Sequence, residues 1–356
     1  MQDRILIVGA GIIGATLAHR LTSLGAQVTV VEGIAPAAMA TGRSFGWINA
    51  SFHLSPDHYR LRLAAMAAHR ALAAELDLPP ATQGCLWFEE TGKGFDPLLA
   101  DLTALGYPVQ SLTRAEVARL EPALAQPPER ALFFPTESAL DPAALTKALL
   151  SAASAKGATV LSGLPVTALL TAGGAITGIT TPAGPIMADH TVLATGTGTP
   201  ALLAPLGLTF PMLHRPGAIF RSQPLPPMLS HILVTPRLEV RQDAQGRILC
   251  PTAAAHQGDA STTLPPPETL LADTLRHLSH LLPQADIRPD SLRLAERPVP
   301  GDGLPAVGPV RPGLSMAVMH SGATLATEAA NLLAVELTGQ GDQPALAPFR
   351  PARFWG

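Results

Sequence analysis

The chain has 356 residues, a net charge of −3 and only 14% charged residues, against 47% hydrophobic residues. This length is enough for two packed cores, because single hydrophobic cores stop growing at about 250–300 residues. No run of Lys or Arg is present, which excludes the electrostatic footprint of a nucleic-acid or anionic-membrane binder, so we expect a small-molecule partner.

The two cysteines and the N-terminal segment indicate the cellular compartment in which the protein is expected. Cys85 and Cys250 lie far apart without a C-x-x-C spacing, which favours neither a disulfide framework nor a zinc ribbon. A strand-like run begins almost at the initiator Met, so no signal peptide is indicated, and no apolar stretch reaches the roughly 18 residues that span a bilayer. We expect a soluble, cytoplasmic protein without a membrane span, of unknown oligomeric state.

The chain opens with a predicted strand, helix and strand at residues 5–8, 15–24 and 28–31. Between the first strand and the helix stands Gly9-Ala10-Gly11-Ile12-Ile13-Gly14, whose glycines permit a tight turn and let a pyrophosphate approach the helix N-terminus. Glu32 ends the second strand, where a carboxylate accepts hydrogen bonds from both ribose hydroxyls of an adenine dinucleotide. The pattern predicts a dinucleotide-binding βαβ unit.

Capping signals mark three helices further along the chain. Ser55-Pro56-Asp57 predicts the start of a long helix that runs to about residue 77, with 61, 64, 68, 72 and 76 on one face. Thr113 and Glu116 form a capping box inside the Pro- and Gly-broken stretch 79–139, which indicates an insertion. Asp141-Pro142 predicts a helix that ends at residues 156–157.

The remaining predicted elements are mostly short strands. In chain order they are strands at 159–161, 166–170, 175–180 and 186–194, antiparallel strands and one helix within 217–300, a strand at 314–319 and a helix at 324–337. Gly173-Gly174 predicts a hairpin, and residues 243–246 predict a turn between strands at 238–241 and 247–250.

These elements predict an α/β fold with two domains. A discontinuous dinucleotide-binding domain would combine residues 1–80, 140–215 and 300–356. An α+β domain with an antiparallel sheet would combine residues 81–139 and 216–299 and would bind the substrate.

Several motifs together resemble the D-amino acid oxidase, glycine oxidase and monomeric sarcosine oxidase family, and its glycine oxidase-like members most closely. They are the 9–14 motif with Glu32, Ala40-Thr41-Gly42-Arg43-Ser44-Phe45-Gly46-Trp47, Leu140-Asp141-Pro142, Ala194-Thr195-Gly196, Arg297-Pro298, residues 302–308 and His320-Ser321-Gly322. The resemblance covers nearly the whole chain. It implies a Rossmann-like FAD-binding domain of the two-dinucleotide-binding, glutathione-reductase-like type beside an antiparallel-sheet substrate domain.

The resemblance also implies FAD as a non-covalent cofactor, because neither cysteine lies in a context that resembles a flavin-linking cysteine. The residues implied at the adenosine and pyrophosphate end are Gly9, Gly11, Ile12, Ile13, Gly14, Glu32, Val166, Thr195 and Gly196. The residues implied to run past the pyrophosphate and in front of the flavin ring are Thr41, Arg43, Ser44, Phe45, Gly46 and Trp47. Backbone N–H groups of residues 320–324, namely His320, Ser321, Gly322, Ala323 and Thr324, are implied at the flavin pyrimidine.

Arg297 resembles the residue that binds a substrate carboxylate in glycine oxidase-like enzymes, a bidentate task that suits a guanidinium group. Arg241 competes for this role, and an interdomain salt bridge is the alternative for Arg297. Trp47 and His320 are further catalytic candidates, although a core aromatic and a structural histidine explain them as well. His277 and His280 lie three apart on a predicted helix, but no third ligand has matching spacing, so we expect no metal site.

The implied reaction is oxidation of a C–N bond in a small amine or amino acid, with hydride passing from the substrate α-carbon to flavin N5 and the imine then hydrolysing. Lys93, Lys147 and Lys156 all precede residue 200, so the oxygen-activating lysine of sarcosine oxidase-like proteins has no counterpart, and the electron acceptor stays open. Two alternatives are an FAD-dependent 2-hydroxy acid dehydrogenase and a flavoprotein subunit of an amine-oxidising complex.

Overall fold

A computed structural model describes residues 4–78, 82–252 and 261–355 of the chain. The strands, in chain order, are β1 Arg4–Val8, β2 Gln27–Glu32, β3 Trp47–Ile48, β4 Thr82–Trp87, β5 Gln110–Thr113, β6 Arg130–Ala139, β7 Thr159–Ser162, β8 Ala168–Ala172, β9 Ala175–Thr181, β10 Gly184–Met187, β11 His190–Leu193, β12 Met212–Leu213, β13 Pro216–Ser222, β14 Ile232–Val234, β15 Glu239–Gln242, β16 Ile248–Thr252, β17 Pro289–Glu296, β18 Val299–Pro300, β19 Ala306–Arg311 and β20 Leu314–Val318.

Helices occupy both halves of the chain. They are α1 Ile12–Ser23, α2 Pro56–Glu75, α3 Phe95–Ala104, α4 Arg114–Leu120, α5 Pro142–Ala155, α6 Thr199–Leu203, α7 Pro267–Leu281 and α8 Gly322–Leu337. Short 3₁₀ turns lie at Ala40–Arg43, Gly196–Gly198, Ala204–Leu206, Pro344–Phe349 and Pro351–Phe354. Within the described ranges, no helix is both long enough and apolar enough to cross a membrane.

The first sheet has six strands in the order β19-β20-β11-β1-β2-β7, and every neighbouring pair except β19 and β20 is parallel. Ile5 and Ile7 of β1 pack against helices α1, α5 and α8, while Leu6 and Val8 pack on the other face with Ile176. That other face is covered by the three-stranded sheet β10-β9-β8. Because both faces are covered, β1 reads as a continuous apolar run rather than an alternating one.

The second sheet has nine strands in the order β17-β13-β16-β15-β14-β4-β6-β3, with β5 also pairing with β6. Neighbouring strands within this sheet are antiparallel, except β14 and β4, which are parallel. The predicted α/β fold, with a mostly parallel sheet and a separate antiparallel sheet, is confirmed.

The local capping signals also appear as predicted. The Ser55 side chain accepts a hydrogen bond from the His58 N–H at 3.1 Å, and Asp141 Oδ1 accepts one from the Ala143 N–H at 2.8 Å. Thr113 and Glu116 form the predicted capping box at the start of α4. The residues of each capping motif lie within one helical turn of each other, so the motifs can be recognised from the sequence alone.

The prediction of one strand over residues 186–194 is wrong. The segment is two strands in different sheets, since β10 is antiparallel to β9 and β11 is parallel to β1. The predicted strand is interrupted at Ala188-Asp189. The Ala188 N–H donates to Thr177 O at 3.0 Å, and the Asp189 carboxylate accepts from the Arg4 backbone N–H at 2.9 Å. This turn is fixed by distant partners that the local sequence does not reveal.

Candidate active site

The turn between β1 and α1 requires glycine at two positions. A Cβ at Gly14 would lie 2.0 Å from Gly9 O, and a Cβ at Gly9, where φ is +105°, would lie 2.5 Å from Ala194 O. Helix α1 therefore begins directly at the end of β1. Its N-cap residue, Gly11, has no side chain to cap the helix, and the first turn has no acidic residue. The Ile12 N–H donates to Thr41 Oγ1 at 3.1 Å, and the remaining first-turn N–H groups and the helix dipole suit an anion such as a pyrophosphate.

Glu32 lies beside this turn, at the end of β2. Its carboxylate accepts hydrogen bonds from the Ala10 N–H at 2.8 Å and the Ile34 N–H at 2.9 Å. Each oxygen keeps a second lone pair, so the group can still accept from a ribose hydroxyl. The Leu164 N–H donates to Glu32 O at 3.0 Å, which brings the Val166 segment to the same edge of the sheet.

The end of β11 meets the same turn. Thr195 lies next to Gly9, and its hydroxyl is 2.8 Å from that of Thr199. Gly196 follows with a φ of +52°, and a Cβ there would stand 3.7 Å from Pro298. Thr195 and Gly196, which the sequence analysis assigned to the adenosine and pyrophosphate end of the cofactor, thus lie close to the Arg297-Pro298 segment.

A cavity of about 240 Å³, partly open to solvent, extends from the α1 N-terminus to β13, to residues 295–298 at the end of β17 and to the N-terminus of α8. The predicted site residues on its wall are Ile12, Ile13, Thr41, Arg43, Ser44, Phe45, Gly46, Trp47, Arg297, His320, Ser321, Gly322 and Ala323. Those outside its wall are Gly9, Gly11, Gly14, Glu32, Val166, Thr195, Gly196 and Thr324.

Thr324 has a different place from its neighbours in α8. It is buried, its N–H donates to Ser321 O at 2.9 Å, and its hydroxyl donates to Trp47 O at 3.1 Å. Because both groups already have protein partners, Thr324 joins α8 to β3, whereas Gly322 and Ala323 remain on the cavity wall.

Trp47 is anchored from behind by a buried carboxyl group. Its Nε1 donates to Glu137 Oε2 at 2.8 Å, and the Tyr107 hydroxyl donates to Glu137 Oε1 at 2.9 Å. Burial raises the pKa of Glu137 to about 7 and raises the pKa of Tyr107 as well. The orientation of the Trp47 indole is therefore set by β6, which carries Glu137.

The structure places Arg297, and not Arg241, on the cavity wall. Arg297 follows β17, and its Nε donates to Arg215 O at 3.2 Å. Arg241 is buried, with Nε donating to Phe45 O at 2.7 Å and Nη2 to Leu140 O at 3.0 Å. Arg241 thus supports the 40–47 loop from outside the cavity.

His320 stands on the wall close to two positive charges. Burial, together with the smaller effects of the Arg297 and Arg62 charges, lowers its pKa to about 4. Its Nδ1 lies 3.2 Å from the Ser321 hydroxyl. At neutral pH the imidazole is uncharged, so it adds no cation to the cavity.

Arg62 and Asn49 are wall residues that the sequence analysis missed. The predicted inward face of α2 included Ala64, which is exposed; the buried stripe contains His58, Arg62 and Met66 instead. Arg62 lies four residues after His58 and four before Met66. This i, i+4 spacing was the available signal, but an arginine in an amphipathic helix is ordinarily assigned to the solvent side.

The histidine pair and the cysteines lie away from this cavity. His280 Nδ1 bonds to Arg276 O at 2.6 Å on α7, and the described part of the chain holds no group of three His, Cys, Asp or Glu residues that could bind a metal. Cys85 and Cys250 are buried and free, and neither is on the cavity wall.

A glycine turn at a helix N-terminus, a carboxylate at the end of β2 and a cavity that continues to a second sheet are the features of a dinucleotide-dependent enzyme. Residues 4–335 match the family model described as "FAD dependent oxidoreductase", and the chain belongs to this family. It is therefore an FAD-dependent oxidoreductase.

Relatives match over the full length. Glycine oxidase of Pseudomonas aeruginosa is 27% identical over 99% of both chains, and D-amino acid dehydrogenase of Rhizobium rhizogenes is 25% identical over 99% of this chain and 100% of its own. The crystal structure of glycine oxidase from Geobacillus kaustophilus superimposes with a TM-score of 0.88 over 100% of both chains, at 24% identity.

The residues present fit FAD. The α1 N-terminus offers its dipole and the N–H groups that follow Ile12 to the pyrophosphate, and a Cβ at Gly9 or Gly14 would collide with Ala194 O or Gly9 O. The cavity runs from the α1 N-terminus to the α8 N-terminus, so the ring end of the cofactor can extend along it. Bound FAD supplies a two-electron acceptor for hydride.

Proposed function

We propose that the enzyme oxidises the C–N bond of a small amino acid, with Arg297 binding the substrate carboxylate and hydride leaving the α-carbon toward flavin N5. The observation that carries this proposal is the Arg297 guanidinium on the cavity wall, beside Gly217 of β13. A guanidinium pairs with a carboxylate through two parallel N–H donors, and this geometry holds the α-carbon in one place.

The cavity wall supports a neutral amine as the reacting form. Arg62 and Arg297 are cationic, whereas His320 is uncharged at neutral pH, so an ammonium group is disfavoured beside them by like-charge repulsion. A neutral amine retains the lone pair that assists hydride departure. The resulting imine hydrolyses in water to a keto acid or aldehyde and an amine or ammonia.

The relatives' names point to the same substrate class, since one is a glycine oxidase and the other a D-amino acid dehydrogenase. They differ in electron acceptor. No lysine is among the described residues of the cavity wall, so a side chain of the kind that activates oxygen in sarcosine oxidase-like proteins is absent from it. The buried positions of Cys85 and Cys250 favour non-covalent FAD.

An anaerobic screen of the purified chain tests the reaction class. Amines, N-alkyl amino acids, D- and L-amino acids and 2-hydroxy acids are each mixed with the enzyme, and loss of the oxidised flavin absorbance is recorded. We expect bleaching by at least one amino acid, with release of ammonia or an amine. Bleaching by hydroxy acids alone would favour the 2-hydroxy acid dehydrogenase, and no bleaching by any compound would favour a subunit that needs its complex.

Replacement of Arg297 tests the carboxylate contact. In Arg297→Ala a substrate carboxylate loses its hydrogen-bonded charge partner on the cavity wall, a loss of about 2–5 kcal/mol, which corresponds to about 30-fold to a few thousandfold in kcat/KM. Arg297→Lys should recover only part of this, since an ammonium group lacks the planar fork. The measurement is kcat/KM for one active amino acid and for its decarboxylated analogue.

Arg293→Ala is the matched control, because Arg293 is an exposed residue of the adjoining strand β17 and lies outside the cavity wall. Arg293→Ala should leave kcat/KM unchanged for both the amino acid and its decarboxylated analogue. An equal loss for amino acid and analogue in Arg297→Ala would assign Arg297 a structural role and remove the carboxylate contact from the proposal.

A further inference from the structure

The cavity wall contains a second guanidinium group, that of Arg62 on α2. Its Nε donates to Asn49 O at 2.9 Å and its Nη2 to Asn49 Oδ1 at 2.5 Å, so its orientation is fixed. The third nitrogen, Nη1, is buried and has no hydrogen-bond partner among the described residues, and the side chain is only 1% exposed. Leaving a buried charged donor unsatisfied is unfavourable. Among the described residues of the cavity wall only Arg62 has such an atom, so a ligand in the cavity can supply the missing acceptor.

The charge of Arg62 is only partly compensated. Burial lowers its pKa to about 10, so the group stays protonated at neutral pH. The buried Glu137 opposes that shift, but no carboxylate in the described part of the chain forms an ion pair with Arg62. The atom that meets Nη1 should therefore be an oxygen that carries negative charge or can acquire it.

Arg62 shares its corner of the cavity with the start of α8. Asn49, which holds Arg62, donates its N–H to Thr324 Oγ1 at 3.4 Å. Helix α8 has 16 residues, begins after Ser321 without a side-chain cap or a first-turn acid, and presents Gly322 and Ala323 to the cavity. A fixed guanidinium and a helix N-terminus thus act on one region.

Arg297 approaches the cavity from a different element, the segment that follows β17. Under the proposed function the substrate carboxylate lies at Arg297 and the flavin pyrimidine at the α8 N-terminus, next to which Arg62 is held through Asn49. The pyrimidine carbonyl oxygens are the acceptors that fit the Arg62 corner, because the reduced ring places negative charge on them.

We propose that Arg62 Nη1 donates a hydrogen bond to a pyrimidine carbonyl oxygen of the bound flavin and stabilises negative charge on the reduced ring. This inference rests on the proposed function for the placement of the ring. Its consequence is a higher midpoint potential of bound FAD and tighter binding of sulfite, which adds to flavin N5 and leaves negative charge on the pyrimidine.

The test uses FAD-loaded wild type, Arg62→Met and Arg62→Lys, with Arg70→Met as the control, since Arg70 is an exposed residue of the same helix. In Arg62→Met we expect sulfite binding weakened by about ten- to a hundredfold. A tenfold to hundredfold change in the equilibrium between oxidised and two-electron-reduced flavin corresponds to a midpoint potential lower by about 30–60 mV. Arg62→Lys should lose less, because it retains the charge, and Arg70→Met should match wild type.

Neither readout needs turnover, so the inference is tested separately from the amine substrate. Unchanged sulfite affinity and potential in Arg62→Met, with a raised KM for carboxylated substrates alone, would overturn it and assign Arg62 to the substrate. Should Arg62→Met not fold, the ionisation of flavin N3–H in wild type decides. A cation at the pyrimidine lowers the pKa of that group below its value in free FAD, and an unshifted or raised pKa contradicts the proposal.

Discussion

Glu137 is a fully buried carboxyl group that binds Trp47 Nε1 and the Tyr107 hydroxyl. These donors favour its charged form, but burial outweighs them and raises its pKa to about 7 from an ordinary 4.5. The folded state therefore holds the proton more tightly than the unfolded state. The stability that this adds is fully present below about pH 4.5 and is lost as the pH rises through 7.

Glu137→Gln should remove this pH dependence, because an amide does not ionise. Between pH 5 and pH 8 the wild type should lose about 2–3 kcal/mol of unfolding free energy relative to the variant, at 1.36 kcal/mol per pKa unit. Denaturant unfolding at the two pH values measures this difference. Glu129→Gln is the control, since the Glu129 side chain is 88% exposed; a parallel pH profile in wild type and Glu137→Gln would mean that Glu137 does not titrate in this range.

Glu32→Ala tests the ribose contact. The change removes charge-assisted acceptors, each worth about 1.5–3 kcal/mol, so FAD should bind at least tenfold more weakly. Because Glu32 also accepts from the Ala10 and Ile34 N–H groups, the apoprotein should become somewhat less stable. Equilibrium titration of apoprotein with FAD gives the dissociation constant, and an unchanged value would move the ribose contact to another residue.

At the scale of the element, the β1–α1 turn can be tested with a matched pair of glycines. Gly9 and Gly157 have nearly equal φ values of +105° and +100°, but a Cβ at Gly9 would meet Ala194 O at 2.5 Å and one at Gly157 would meet nothing within 4 Å. Gly157→Ala should cost only backbone strain, about 1–2 kcal/mol. Gly9→Ala should add about 1–3 kcal/mol of overpacking and reduce FAD content.

Thermal unfolding and the flavin absorbance of the purified proteins measure both effects. Since the backbone strain is common to the pair, the difference between them isolates the contact with the end of β11. Equal stability and equal FAD content in the two variants would contradict the close approach at Gly9.

Elements whose signals are local were predictable from the sequence, and elements fixed by distant partners were not. The helix starts at Ser55, Thr113 and Asp141 follow from side chains within one turn. The break at Ala188-Asp189 depends on Thr177 and Arg4, which are remote in sequence. Family resemblance predicted the wall residues Trp47, Arg297 and His320. Arg62 matched no quoted motif, and its place on the wall depends on the packing of α2 against α8 and on its hydrogen bonds to Asn49.

At the scale of the molecule, the six-stranded sheet gathers strands from three separate stretches of the chain, with β1 and β2, then β7 and β11, then β19 and β20. Such an arrangement cannot be derived from hydrophobic periodicity, because periodicity identifies strands but not their neighbours. The glycine turn predicted the first βαβ unit, and the predicted strand at 314–319 with the terminal helix predicted the return of the C-terminal segment to the first domain. The assignment of residues to two domains at the predicted boundaries stays a prediction.

Strand β3 belongs by sequence to the segment between β2 and α2, yet its two residues pair with Ala139 and Ser138 of the nine-stranded sheet. The segment that follows β2 in the six-stranded sheet thus adds a strand to the nine-stranded sheet before the chain continues into α2. The two sheets consequently cannot be exchanged as independent units. A chimera that exchanged residues 82–139 and 216–296 for those of a relative would inherit a foreign partner for Trp47, so recombination that aims at a new substrate must carry β3 along with the sheet it joins.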